Sequence, residues 1–234
     1  DRFLAIKMLR PHLAKNESFK DAFVRESRLA AQLSHPNIVT IFDVGIADDI
    51  PYIAMEMLEG VTLEKILESK KKLDVKTALN IAGQMTLALD YAHQQGLVHK
   101  DVKPANILIL RDKKTAKLTD FGIAQAIDNL NEFQESGNET SSATQSSKRR
   151  NKVIGTPEYV APEQVVGHAL DHRTDLYSTG VLIYRMISGM PPFVANELSH
   201  LFKLIIKNKP QESVGEDERV KDEIKDLVRR LLQK

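Results

Sequence analysis

The segment His99-Lys100-Asp101-Val102-Lys103-Pro104-Ala105-Asn106 sets a carboxylate, a lysine and a carboxamide within a few positions of one another. Pro104 and the close spacing argue against a helix, so the segment reads as a loop. Asp101 can accept a proton from a hydroxyl group. Asn106 can offer a carbonyl oxygen to a metal ion. Lys103, between them, can stabilise charge that develops on a transferring phosphoryl group. Any one of these residues is ordinary on a surface loop. The ordered set, followed by an apolar strand and then by Asp120-Phe121-Gly122, is not a chance arrangement.

A second candidate lies near the start of the chain. Lys7 sits inside the apolar run Phe3-Leu4-Ala5-Ile6-Lys7-Met8-Leu9, which reads as a buried strand. A lysine there is costly unless paired, and alone it would pass for a snorkelling edge residue. Glu26 follows in the middle of a predicted helix. A Lys7–Glu26 pair joining strand to helix would hold an ammonium ready for a phosphate oxygen.

These groups need elements to position them. Asn16 or Ser18 can cap a helix in which Phe19, Phe23, Leu29, Ala30 and Leu33 recur at helical spacing, and His35-Pro36-Asn37 breaks it. Residues 38–44 and 52–58 read as strands joined by a turn at Asp48-Asp49. Beyond Gly60 the pattern turns helical. Ala78, Ile81, Ala82, Met85, Ala88, Leu89 and Ala92 form one apolar stripe, ended by Gly96. Residues 107–110 and 116–119 are short strands around Arg111-Asp112. Residues 176–187 form a second buried helix with a break at 189–192, and helices follow over 198–206 and 220–232. The expectation is an α+β fold of two lobes, a small β-rich lobe over 1–57 and a larger helical lobe over 58–234, with a hinge at 56–60.

The chain has 234 residues, 42% of them hydrophobic and 28% charged, which suits a folded domain and excludes wholesale disorder. There is no cysteine, so a disulfide scaffold, a thiolate metal site and a cysteine nucleophile are excluded. Lys+Arg number 33 against 32 Asp+Glu, so no global field drives the chain onto nucleic acid or an anionic membrane. No apolar run approaches the roughly 18 residues of a membrane span, and a cytoplasmic location is expected, with a membrane tether outside this segment as the alternative. Between Ser136 and Ser147 seven of twelve residues carry a hydroxyl. That composition cannot bury enough surface to offset its ordering entropy, so a mobile insert is expected over about 128–152.

Taken together, the motifs resemble the catalytic domain of protein kinases. Ala5-Ile6-Lys7 is similar to the family's strand lysine motif, and Glu26 to its helix glutamate. His99 to Asn106 matches the catalytic loop, Asp120-Phe121-Gly122 the metal-binding motif, and Ala161-Pro162-Glu163 the end of the activation segment. Asp175 stands where the family ties down the catalytic-loop backbone. Asp120-Phe121-Gly122-Ile123-Ala124, Pro162-Glu163-Gln164 and Tyr52 to Met57 resemble the eukaryotic-like Ser/Thr kinases of bacteria. The resemblance implies ATP with Mg²⁺ or Mn²⁺ as cofactors. It gives Lys7 the α/β phosphates with Glu26 as partner, Asp101 the substrate hydroxyl, and Asn106 and Asp120 the metal. It places Met55 at the gatekeeper position, backbone groups of Glu56 and Leu58 at adenine, Leu108 beneath the ring and Ala5 above it. Lys103 and Thr156 imply Ser/Thr rather than Tyr acceptors, and protein substrates as partners. A dimer for trans-autophosphorylation, with the hydroxyl-rich stretch as a target, is the associated expectation.

Three departures qualify the resemblance. The family's Gly-rich loop does not precede Lys7 in this chain, so residues 1–234 alone are expected to turn over ATP slowly. The catalytic-loop arginine is replaced by Lys100, which cannot grip a phosphate with two parallel hydrogen bonds. The family arginine that pairs with Glu163 is absent from the chain as it stands. The alternative to an enzyme is a truncated or pseudokinase-like binding module without phosphotransfer. Retention of Lys7, Glu26, Asp101, Asn106 and Asp120 favours the enzyme.

Overall fold

The computed structural model describes residues 3–121, 157–210 and 220–233. Its first elements are β1 (Leu4–Met8), α1 (Pro11–Ala14), α2 (Glu17–Ala30), β2 (Ile41–Ala47) and β3 (Ile50–Glu56). The strands form an antiparallel sheet in the order β1-β3-β2, with Ala5 opposite Met55 and Lys7 opposite Ile53. Asn16 caps α2 by accepting from Ser18 N–H at 2.9 Å. Asp48 and Asp49, both at positive φ, make the β2–β3 turn. Leu9, Ala14, Phe23 and Ile53 form a small core between this sheet and its helices.

The expected buried strand at residues 3–9 is corrected. Leu4, Ile6 and Met8 are exposed, because β1 is the edge of the sheet within this chain and its side chains alternate between faces. Ala5 and Lys7 point to the other, half-buried face. Leu29, expected on the apolar stripe of α2, is likewise exposed, whereas Phe19, Phe23, Ala30 and Leu33 are buried. The strand expected from Ile38 begins later, at Ile41; Ile38 instead bridges to Leu118.

The larger part comprises β4 (Gly60–Thr62), α3 (Leu63–Lys70), α4 (Val75–Gln94), β5 (Ile107–Leu110), β6 (Ala116–Leu118), α5 (Pro162–Val166), α6 (His172–Ser188), α7 (Leu198–Lys207) and α8 (Asp222–Leu231). Strands β4, β5 and β6 pair antiparallel in a second small sheet. The seven stripe residues of α4 expected to be apolar and inward are all buried. The C-terminal half of α6 is apolar nearly all round, with Val181, Leu182, Ile183, Tyr184, Met186 and Ile187 buried, as expected of a helix enclosed by others. The helix packs between α4 and α8. At Gly180 a Cβ would stand 2.7 Å from Leu231 Cβ, so the α6–α8 contact requires glycine. Gly60 plays the same part at the junction, where a Cβ would stand 2.4 Å from the Ile109 carbonyl oxygen.

Candidate active site

The loop between α4 and β5 is built backbone first. Asp175, on the first turns of α6, has a wholly buried side chain. Its Oδ2 accepts from His99 N–H at 2.8 Å and its Oδ1 from Lys100 N–H at 2.7 Å. Lys100 has φ 66°, a region that costs a non-glycine residue about 1–3 kcal/mol. Both its backbone groups are clamped there, since Gln164 Nε2 donates to the Lys100 carbonyl at 3.0 Å while Gln164 Oε1 accepts from Ala161 N–H. The start of α5 is thereby tied to the loop. The ring of His99 is buried. Its Nδ1 accepts from Asp101 N–H at 3.2 Å, so the proton sits on Nε2, which donates to the Thr119 carbonyl at 2.9 Å. Phe121 stacks at a tilt on that ring, with centroids 4.6 Å apart.

On this frame the chemistry-bearing side chains converge. Asp101 Oδ2 meets Lys103 Nζ at 2.8 Å and Asn106 Nδ2 at 2.9 Å. Asn106 Nδ2 also donates to the Asp101 carbonyl at 2.8 Å. With its NH₂ group committed to Asp101, Asn106 offers its amide oxygen as the end available to a cation. Thr119 fixes the Asn106 backbone from the neighbouring strand, through N–H and Oγ1 to the Asn106 carbonyl. Asp120 follows at φ 63°, with its Oδ1 2.6 Å from Lys7 Nζ. The pair is over a third exposed on each side, so its Coulomb energy is screened.

Here the expected Lys7–Glu26 bridge is corrected. Lys7 pairs with Asp120, and Glu26 lies 3.8 Å from Arg25 Nε on its own helix. The physical reason is proximity: β1 sets the Lys7 ammonium on the face where Asp120 presents an oxygen at direct hydrogen-bonding distance.

The expected adenine residues lie on β1, on β3 and the link that follows it, and on β5. Ala5 and Met55 are paired across β1 and β3 and are half-buried. A small cavity opens among Ile53, Met55, Asp120 and Phe121. Leu58 is half-buried between β3 and β4, and Leu108 lies on the less buried face of β5 opposite Thr62. Glu56 N–H donates to the Thr40 carbonyl at 2.9 Å, which leaves the carbonyl as the backbone group Glu56 could offer a ligand. Thr156, Gly122 and the hydroxyl-rich stretch from Ser136 to Ser147, with the insert over about 128–152, lie outside the described residues.

Several residues that hold the site together were not singled out from sequence. Lys117 of β6 bridges to Glu56 Oε1 at 2.6 Å and donates to the Ile38 carbonyl at 3.2 Å, joining the two sheets. Glu56 Oε1 also accepts from Thr40 N–H. Partial burial works against the charged carboxylate, but Lys117 and the Thr40 N–H outweigh it and hold the group below the usual range. Asn37 is more than a helix breaker. It is buried, and its Nδ2 donates to the Ala116 carbonyl at 2.8 Å and to Gln84 Oε1 at 2.7 Å. A lysine in a two-residue-period strand and a polar residue after a proline carry no local mark of such partners.

For a divalent cation the oxygen donors are Asp120 and Asn106, hard ligands of the type Mg²⁺ accepts with waters and phosphates completing its shell. The donor set fits such an ion. Among the described residues no cluster of three or more His, Cys, Asp or Glu residues forms an all-protein metal cage.

The chain matches the family described as protein kinase domain over residues 1–234. It is 35% identical to a Clostridium perfringens protein named a probable serine/threonine-protein kinase, over 100% of this chain and 32% of that protein. A Streptomyces coelicolor protein of the same printed description is 38% identical over 100% of this chain and 33% of its own length. The serine/threonine-protein kinase PknB of Mycobacterium tuberculosis is 41% identical over 83% of this chain and 30% of its own length. The chain thus spans about a third of the length of the curated relatives it matches. That family has ATP and a divalent metal as its cofactors and proteins as its substrates, and with the catalytic loop, Asp120 and Asp175 arranged as described, the chain belongs to the protein kinase domain family.

Proposed function

We propose that this chain is the catalytic unit of an ATP-dependent protein Ser/Thr kinase. The observation that carries the reading is the double hold on Asp101 Oδ2, from Lys103 Nζ and Asn106 Nδ2, on a loop anchored by Asp175. A carboxylate so oriented can take the proton of an attacking hydroxyl. Lys103 then stands where charge on the transferring group can be stabilised. Asn106 and Asp120 would hold Mg²⁺ or Mn²⁺, which supplies charge neutralisation at the phosphates. Lys7 would contact the α/β phosphates after exchanging Asp120 for a phosphate oxygen. Ala5, Met55, Leu58 and Leu108 would enclose adenine, with the Glu56 carbonyl at its edge. Thr156 would line the approach of a Ser/Thr backbone. Residues 1–57 and 58–234 would act as the two lobes, and two copies could phosphorylate each other within the stretch from Ser136 to Ser147.

The test is transfer of labelled phosphate from ATP to a Ser/Thr-containing protein by the chain in its natural full-length context. Phosphoserine or phosphothreonine is expected, with Asp101→Asn lowering kcat by about 10²–10⁴-fold, the range of general-base contributions. Wild-type turnover by Asp101→Asn would overturn the assignment. Binding of ATP with no transfer by the unaltered protein would favour the binding-module reading instead.

A further inference from the structure

We propose that the turn between α3 and α4 docks an acidic segment of the protein substrate; the kinetic consequence rests on the kinase function proposed above, the binding itself does not. The turn carries Lys70, Lys71 and Lys72, all three exposed. Its backbone is strained. Lys71 stands at φ 65° and ψ −52°, and Lys72 N–H donates to the Lys70 carbonyl at 2.8 Å. These are the marks of the rare, strained form of the γ-turn. Glycine would adopt it at less cost, yet a lysine occupies it. The turn is pinned through backbone groups. Lys71 N–H donates to the Leu67 carbonyl at 2.9 Å and Leu73 N–H to the Met186 carbonyl at 2.8 Å. Arg185 Nη1 donates to the Lys71 carbonyl at 2.7 Å and also to the Gly189 carbonyl, which ties the turn to the end of α6. A Cβ at Gly189 would stand 3.5 Å from Lys72 Cβ. A fourth cation is thus set beside three lysines.

The turn is needed to bring Leu73 into the core, but lysine side chains on it are not. They add like-charge repulsion to backbone strain, a combination that points to use of the surface they build. Neighbouring acids do not cancel the charge. Over residues 64–76 five lysines stand against three acids, and Asp74 is committed to Thr77 N–H and Oγ1 as the cap of α4. Arg185 places the patch relative to the reacting groups. It lies on α6 ten residues beyond Asp175, the anchor of the Asp101 loop, which is about 15 Å along the helix. Burial pushes the Tyr159 hydroxyl up and the charge of Arg185 opposes it, so the patch also neighbours the 157–161 segment. An extended peptide covers that length with about four or five residues. A hydroxyl at Asp101 and a run of carboxylates about five residues away can therefore be held at once. The whole chain has a net charge of +1 and the patch is one turn wide. That suits a short acidic run and supplies no extended field for a nucleic acid or a bilayer.

The experiment uses the full-length protein and its Lys70→Gln/Lys71→Gln variant, which keeps every backbone contact of the turn. Binding is read by fluorescence anisotropy of a labelled deca-glutamate peptide and its glutamine counterpart. The unaltered protein should bind the glutamate peptide about tenfold more tightly at low salt and lose the preference at roughly 1 M salt. The double variant should lack the preference at both. Turnover is read on serine peptides with a glutamate run beginning about five residues before or after the acceptor, each with a glutamine control. For one of the two, KM should be about tenfold lower than for its control at equal kcat, and the double variant should erase that difference with kcat retained. Equal binding of the glutamate and glutamine peptides, or a preference that survives the double substitution, would overturn the proposal. So would tighter binding of phosphatidylserine vesicles or single-stranded DNA through the same two lysines, which would assign the surface to a membrane or a nucleic acid. Should the unaltered protein transfer no phosphate, the proposed function falls while the anisotropy comparison still decides the role of the turn.

Discussion

At the scale of single residues, the site is a set of charged groups whose partners are chosen by distance. Asp120 neutralises Lys7 at 2.6 Å and stands just past β6, whose partner strand β5 begins one residue after Asn106. Replacing it with asparagine keeps the volume and removes the formal charge. Asp120→Asn should abolish metal-dependent phosphate transfer while the thermal midpoint moves by no more than a few degrees, because the Lys7 pair is solvent-screened and contributes roughly 0–1 kcal/mol. Turnover with ordinary Mg²⁺ dependence would remove Asp120 from the metal site. Gln164 belongs at this scale too. Truncating it to alanine unclamps the Lys100 carbonyl and the Ala161 N–H together.

Among elements, the contact that most constrains the helical part is α6 against α8. Gly180 lets Leu231 close to a distance that no side chain would allow. Gly180→Ala must push α8 outward or bend α6, a small overpacking in a dense interior. A loss of about 1–3 kcal/mol is expected by chemical denaturation. Leu182→Ala, in the same helix and fully buried, should lose about 2–5 kcal/mol by opening a cavity. Since α6 carries Asp175, the glycine substitution should also lower kcat, whereas Leu182→Ala, whose side chain lies two turns further along, should act on stability. An alanine at position 180 with unchanged stability would mean that the helices can separate without cost.

For the whole molecule, the two sheets meet through Glu56 and Lys117. Glu56 is held below its usual value of 4.5 by Lys117 and the Thr40 N–H in spite of burial. A depressed carboxyl contributes stability that is fully present above the unfolded value and is lost as pH falls through the folded one. As pH falls below the usual carboxylate range, the thermal midpoint of the unaltered protein should therefore drop more steeply than that of Glu56→Gln, which is the less stable of the two at neutral pH. Parallel curves would show that the bridge adds nothing. The Asp171 cap of α6, held at about 2 by Arg173, acts in the same direction but at lower pH, as an exposed and screened pair.

What sequence alone determined is local or covalently ordered. The apolar stripe of α4 was legible position by position, because helical period and burial are the same pattern seen twice. The Asn16 cap, the turn at Asp48-Asp49 and the loop that opens at His99 were legible because turn chemistry is written in consecutive residues. Tertiary structure decided whatever depended on which surfaces meet. It put Lys7 on Asp120 rather than Glu26, since a strand's alternation sets the face of a side chain but not the carboxylate that comes to face it. It exposed Leu4, Ile6 and Met8, since apolar composition does not distinguish an edge strand from a central one. It brought His93, Gln164 and Lys117 to Asp175, Lys100 and Glu56 across separations of 82, 64 and 61 residues. Pairings at such separations leave no periodicity in the chain, because they are made by helices and strands packing on one another rather than by the run of residues within any one of them.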